Sequence, residues 1–282
     1  MATSTIEQRF PLARKTLRVV RQICNPIGPD RLRRALDALT LQPADVLLVH
    51  TSLSACGRFT AGPESVLSTL REYGRTVCFP TFSFCYPEPP EAQAEGPLFD
   101  AATTPSKMGL LTEIFRQAPD VTRSIHATHS LAVAGPIARE LCADHYLQDA
   151  PCGHDSPFGR LIRRHASVLM FGVSFDSYTF YHTAEDASGS AFAYVPQLLD
   201  RLRVVDEHGQ RRTCLSRRQT RDPRRFGAAG DLLERAGLAR RIELGRGFLR
   251  YVPDSAKAHD FLLERLRRTP DFLYQTCSAP LR

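Results

Sequence analysis

The chain predicts an α/β protein, a layered α/β/α arrangement around a central mixed, largely parallel sheet. Three observations carry this expectation. Short apolar runs of strand length alternate with stretches of helical periodicity through the first two-thirds of the chain. Runs such as "DVLLVH", "TVCFPTF" and "SVLMF" are nearly continuous in apolar residues, as strands covered on both faces must be. The segments after residue 200 instead pair around short polar turns, which makes the sheet mixed.

Residues 1–28 read as an N-terminal extension closed by "CNPIGP", and 29–282 as one domain with a basic subregion at 201–250. "PDRLRRALDALT" has helical spacing, with Pro29 and Asp30 as its start signal. "ADVLLVHTSLS" is a buried strand running into a serine-rich turn. "GPESVLSTLREYG" is a helix closed by glycine, and "TVCFPTFSF" a second strand. "YPEPPEAQAEGPLFDAATTPS" is a long proline-rich loop, a kind that is commonly functional or disordered. Then follow the helix "MGLLTEIFRQA", the strand "HSLAVAG" and the helix "PIARELCADH". "PCGHDSPFGRLIRRH" is a loop entering a helix, and "SVLMFGVS" a strand followed by "FDSYTFYHTAEDASG" (175–189) on a helix. "RLRVVDEHGQRRTCL" is a hairpin turning at "DEHGQ", "FGAAGDLLERAGLARR" a helix, "RIELGRGFLRYV" another hairpin and "AKAHDFLLERLRRT" a final helix.

Composition narrows the function classes. No window approaches the ~18 consecutive apolar residues of a membrane span, and the N-terminus has no signal-peptide core. A retained, cytoplasmic, non-membrane protein is expected. The eight cysteines are scattered without a C-x-x-C pair, which suits buried free thiols in a reducing compartment. There is neither a G-x-G-x-x-G nor a G-x-x-x-x-G-K-S/T fingerprint. The net charge of +7 is concentrated in residues 201–250, which hold fourteen arginines against six acids. A segment so basic suits an anionic partner or a solvated basic face.

In open α/β sheets, ligand sites gather at the carboxyl ends of strands. "HTSLSACG" (50–57), "HATHS" (126–130) and "DSYTFYHTAED" (176–186) are polar motifs placed there by this reading. On a helix His182 and Glu185 share a face, so the carboxylate can fix one imidazole nitrogen and leave the other free as a base. Spacing alone favours the plainer reading, a carboxylate that solvates a histidine. The histidines of "HATHS" lack a third ligand, so no metal site is expected. The hydroxyls and N–H groups of "HTSLS" suit phosphate or carbonyl oxygens.

These motifs, in this order, resemble the aminoglycoside 3-N-acetyltransferase family. The matching stretches are "DVLLVHTSLSACG", "VCFPTFS", "FDAATTPSKMGLLTEIFR", "VTRSIHATHSLAVAGPIAREL", "GHDSPFGRL" and "VLMFGVSFDSYTFYHTAED". The resemblance implies a CoA-dependent N-acyltransferase, in which a substrate amine attacks acetyl-CoA (or another acyl-CoA) directly. It implies His182 as general base with Glu185 beside it, and a C-terminal carboxylate as a further orienter, for which Asp222 is the candidate. Ser52, Leu53, Ser54, Ser106, Met108, Gly109, His129 and Ser130 carry over as acyl-donor contacts. Asp176, Tyr178 and Tyr181, beside the motif, are read as acceptor contacts.

Departures from the family pattern cluster around the site: "SACG" for "SALG", "HATHS" for "HPTHS", and "HTAED" for "HLAE". Where the family is commonly acidic, this chain reads "SRRQTRDPRRF". The expected acceptor is therefore an amine other than a conventional aminoglycoside: one that also bears a carboxylate or phosphate, or an amino sugar or biosynthetic intermediate. The alternatives are a resistance-type aminoglycoside 3-N-acetyltransferase, or acyl transfer from an acidic acyl-carrier protein in natural-product biosynthesis. From other classes stand a hydrolase using Cys56 or Cys152, and a non-catalytic polyanion binder. Nucleic acid is disfavoured by the absence of interleaved aromatics. A homodimer built on residues 1–28 is a further expectation.

Overall fold

The parallel part of the sheet is three strands wide, and everything else is arranged around it. The computed structural model describes residues 26–41, 44–86, 96–221 and 223–274. β1 (Ala44–Thr51) lies between β2 (Gly74–Pro80) and β6 (Ser167–Phe171), parallel to both. β5 (Leu131–Ala134) joins β2 antiparallel, and β4 (Val121–Arg123) joins β5 antiparallel. On the other side β10 (Gly247–Val252) runs antiparallel to β6 and carries β9 (Arg240–Leu244) at the edge. The seven-stranded sheet is mixed, as expected. The expectation of a largely parallel sheet is corrected: only β2, β1 and β6 run parallel. After β4 the chain returns as β5 alongside β2, antiparallel to it.

Continuous apolar sequence on the central strands has its reason in the two faces. Val46 and Leu48 of β1, with Val168 and Met170 of β6, belong to one core cluster. Leu47 and Val49, with Leu169 and Phe171, belong to the other. The second face is covered by α1 (Pro29–Ala38), α3 (Gly62–Arg71) and α4 (Leu110–Arg116), through Leu32, Leu36, Val66, Leu70 and Phe115. A short helix, α2 (Leu53–Cys56), caps the end of β1. The first face is covered by α5 (Ala138–Cys142), α6 (Pro157–Arg163), α7 (Phe180–Ser188), α8 (Phe226–Arg235) and α9 (Ser255–Arg268). Fully buried apolar side chains of this kind are worth roughly 1.5–3 kcal/mol each. They are the main term holding the layers together.

Two expectations shift at the edges. The predicted extension 1–28 falls mostly outside the described residues. Ile27, however, is 1% exposed, bridges Phe59 and belongs to the second core, so the boundary lies earlier than residue 28. The hairpin predicted near 201–215 is longer, with β7 (Tyr194–Val205) against β8 (Arg211–Gln219). With β3 (Leu98–Phe99), inside the predicted loop, it forms a separate three-stranded sheet. Arg123 ties that loop to the main sheet. Its guanidinium donates to the carbonyls of Ala101, Thr104 and Thr81 and to the hydroxyls of Thr81 and Ser130, and its charge sits over the Phe99 ring.

No helix among the described residues is long and apolar enough to cross a membrane. Gly230 marks a close approach in the first layer. A Cβ there would meet Phe175 Cγ at 2.1 Å, with no backbone freedom to yield because the site is mid-helix. Gly230→Ala is expected to destabilise the fold by about 1–3 kcal/mol, read as a lower urea midpoint at unchanged slope.

Candidate active site

The carboxyl ends of β1, β2 and β6 lie on one edge of the sheet. The segment His126–Ser130 reaches the same edge by a route the sequence does not announce. It precedes β5, but β5 is antiparallel and Leu131 sits opposite Pro80 at the end of β2. The amino-terminal end of β5 is thereby beside the carboxyl end of β2, and the three polar motifs share one edge.

A cavity of about 670 Å³ opens there, bounded by the turn after β1, the segment before α4 and the segment after β6. Ser52, Leu53, Ser54, Met108 and Gly109 all line it, and His50, Lys107 and Ser177 join them. Its wall carries the Lys107 ammonium and, among the described residues, no carboxylate. That charge balance suits a polyanion, and the volume suits an extended cofactor-sized ligand. Ser106 acts from behind. Its hydroxyl bonds Thr112 Oγ1 at 2.9 Å and accepts from the Met108 N–H, while its own N–H donates to Glu113 Oε2. These bonds fix the turn that presents Lys107 to Gly109. Gly109 holds φ of 108°, a conformation other residues rarely adopt. The turn after β1 is pressed against the sheet end. A Cβ at Gly172 would lie 2.5 Å from the Ser52 carbonyl.

His182 lies on the first turn of α7, its side chain 18% exposed. Its Nδ1 bonds Glu185 Oε2 at 2.7 Å, one helical turn on. Its Nε2 has no hydrogen-bond partner among the described residues. The edge of the ring rests on the face of Phe226, centroids 5.3 Å apart. Glu185 is 1% exposed, and its other oxygen, Oε1, accepts from Arg224 Nε at 3.1 Å and from the Tyr274 hydroxyl. Burial would raise this carboxyl, but the His182 hydrogen bond, the His182 and Arg224 charges and the Tyr274 hydroxyl together hold it below its ordinary value. Glu185 is therefore an ionised acceptor and His182 Nδ1–H its donor, which leaves Nε2 able to take a proton.

The other expected residues fall into place less uniformly. His129 is fully buried against Phe82 and Phe84, with Nδ1 on Thr128 Oγ1 at 2.7 Å. It is close enough to feel the His182 charge, and burial first, then that charge, hold it neutral, well below its ordinary value. Ser130 is spent on the Thr81 carbonyl and Arg123 and lies behind the cavity wall. Neither lines the cavity. Tyr178 and Tyr181, expected as acceptor contacts, are 1% and 0% exposed in the core beneath α7. Tyr181 donates to the Phe226 carbonyl. Residues adjacent to His182 in sequence simply point to another face of the helix. Asp176, also expected at the acceptor, is a tether. It accepts from Ser174 Oγ and from the Gly227 N–H at the start of α8. Asp222 lies outside the described residues.

Arg224 and Tyr274 are the partners that sequence reasoning missed. They stand 39 and 89 residues from Glu185, and no local spacing could connect them. The arginine-rich stretch is likewise committed internally. Arg217 pairs with Asp186 at 2.7 Å, Arg218 with buried Asp200 at 2.8 Å, and Arg212 with Asp206 at 2.8 Å. The expected solvated basic face is corrected to this extent.

Cys56 and Cys152, the two expected candidates, are poorly placed as nucleophiles. Cys56 and Cys152 are buried, and burial pushes the Cys56 thiol up to about 12. Burial, and then the charges of Asp186 and Glu185, raise Cys152 well above its ordinary value. A thiolate at either position is strongly disfavoured.

The layered α/β fold carries a histidine held by a buried carboxylate and, at the same sheet edge, a cavity of cofactor size whose lining does not include that histidine. The family profile described as aminoglycoside 3-N-acetyltransferase matches residues 48–267. The chain belongs to this family, and is by class an N-acetyltransferase. It is 34% identical over 208 residues to aminoglycoside N(3)-acetyltransferase VII of Streptomyces paromomycinus, a match covering 67% of this chain and 72% of that one. Crystalline aminoglycoside acetyltransferase AAC(3)-Xa superposes with a TM-score of 0.78 at 26% identity, covering 93% of this chain and 99% of that chain. A variant of AAC(3)-IVa in complex with a gentamicin superposes with a TM-score of 0.73 at 26% identity, covering 88% and 92%.

Brief iodoacetamide treatment of the native chain at neutral pH should leave Cys56 and Cys152 unlabelled in peptide mass spectra. Both should label once the chain is unfolded in guanidinium.

Proposed function

We propose that the chain transfers an acetyl group from acetyl-CoA to a primary amine, with Nε2 of His182 as the general base. The observation that carries this reading is the pairing of His182 Nδ1 with an ionised, buried Glu185, which orients the ring and leaves Nε2 unpartnered among the described residues. An amine acceptor is protonated at neutral pH and must lose a proton to become a nucleophile. Nε2 takes one proton from the ammonium, the free amine attacks the thioester carbon, and the C–S bond breaks as the C–N bond forms, with the second proton of the nitrogen leaving on the CoA sulfur as the thiol. Ser52 and Ser54, on the cavity wall, supply hydroxyl donors at the end where the thioester carbonyl would lie. Lys107 supplies a charge suited to phosphate groups. Donor and acceptor react directly, because neither Cys56 nor Cys152 can provide a covalent stage.

His182→Ala should lower kcat by about 10²–10⁴-fold while leaving CoA affinity, measured by isothermal titration, unchanged. Retention of near-full turnover would rule His182 out as the base.

The acceptor we infer is an amine of lower positive charge than a conventional aminoglycoside. The carboxylates of this region are already matched by cations: Glu185 by Arg224, Asp186 by Arg217 and Asp200 by Arg218. A polyammonium ligand needs unmatched carboxylates, and arginines beside them oppose its approach. The second reading, an aminoglycoside acceptor, is favoured by the relatives named for that activity. Steady-state kinetics decide between them. The kcat/KM for kanamycin and gentamicin should fall at least about 100-fold below the common enzyme range of 10⁴–10⁸ M⁻¹s⁻¹. Values inside that range would establish the aminoglycoside reading instead.

A further inference from the structure

We propose that Arg224, seated by Tyr274, is a positioning residue that sets the proton affinity of the His182 base through Glu185. The inference rests on the reading of His182 as base and adds the group that tunes it. Arg224 and Tyr274 both donate to Oε1 of Glu185, whereas His182 holds Oε2. The carboxylate is thus divided, one oxygen to each side. With Oε1 occupied it cannot rotate away from the imidazole.

The charge argument is separate from the geometric one. A buried carboxylate facing an imidazole alone favours the imidazolium, because the pair is then neutral and the buried anion is matched. An imidazolium cannot accept a proton. Arg224 supplies a matching charge from the opposite side, so the ionised Glu185 does not depend on the imidazole alone for its counter-charge. The guanidinium is itself well seated. It lies over the rings of Phe226 and Tyr274, at 5.6 and 5.2 Å, and donates to the Thr220 carbonyl at 2.9 Å. Backbone pairing makes the seat rigid. Arg224 bridges Tyr274, and the Arg225 N–H donates to the Leu273 carbonyl at 2.7 Å.

The other groups around the base do not supply this balance. Asp186 on the same helix is paired with Arg217 of β8 and accepts from Tyr194. His129, from the segment before β5, is buried and neutral. His259 of α9 lies near Thr183 and is held below its ordinary value by burial. Cys152, also near Glu185, is a protonated thiol. Arg224 is the cation in contact with Glu185.

The test is a titration of the ¹⁵N-histidine-labelled full-length chain by NMR, which needs no acceptor. The chain has nine histidines, and the His182 signal is assigned by its loss in His182→Ala. In Arg224→Gln the His182 imidazole should titrate roughly one pH unit higher than in the unaltered chain, and Arg224→Lys should bring the midpoint back toward the original. Tyr274→Phe, which removes only a hydroxyl, should shift it in the same direction by less. An unchanged midpoint in Arg224→Gln, with the circular-dichroism melt intact, would overturn the proposal. If that variant does not fold, an unchanged midpoint in Tyr274→Phe overturns it equally. The base assignment is judged separately by the turnover of His182→Ala, so either idea can fail alone.

Discussion

A carboxylate sealed inside the protein must be met by donors, and Glu185 is the point on which this structure turns. An ion of that kind left unpaired costs several kcal/mol. Three parts of the chain converge to prevent it: α7 itself, the segment ahead of α8, and the strand-like stretch after α9. The bridge between Arg224 and Tyr274 exists because both must face the same oxygen. Phe226 follows two residues after Arg224 and lands against His182 and Tyr181. The packing of the first layer and the chemistry of the base are therefore one arrangement.

The second organising constraint is electrostatic economy. A chain with a surplus of arginine would normally offer that charge to solvent or to a partner. Here Arg212, Arg217, Arg218 and Arg224 turn instead to carboxylates that the fold has buried or half-buried. Asp200 is 0% exposed and is tolerable there only because Arg218 forks onto both its oxygens. The pairings at Glu185 and Asp186 also withdraw negative charge from the neighbourhood of His182. Stability and ligand preference draw on the same ion pairs.

Much of the architecture is legible in the residues, and the rest is hidden for definite reasons. The strands β1, β2 and β6 announce themselves because burial on both faces demands unbroken apolar sequence. The hairpins announce themselves through their polar turns. The direction of β5 does not, because "LAVA" pairs equally well either way and only the intervening path decides. Within the site, His182 and Glu185 are visible because helical spacing couples them. Arg224 and Tyr274 are not, because their contact with Glu185 is a product of tertiary folding. The basic stretch is legible as charge but not as pairing, since most of its carboxylate partners lie on other elements. Tyr178 and Tyr181 mislead for the opposite reason: both are near His182 in sequence, but Tyr178 lies ahead of α7, and both side chains are buried in the core.

Residues that are close in the base assembly are far apart in the order of synthesis. Ribosomes deliver chains from the N-terminus, and domains commonly begin to fold as they emerge. The cavity edge formed by β1, β2, β6 and α4 is complete once Ser177 is out, and His182 follows at once. Glu185 must then wait for Arg224, and both for Tyr274. Through that interval the donors that meet Oε1 of Glu185 are not yet present, and a chain ended before Tyr274 would lack one of them for good.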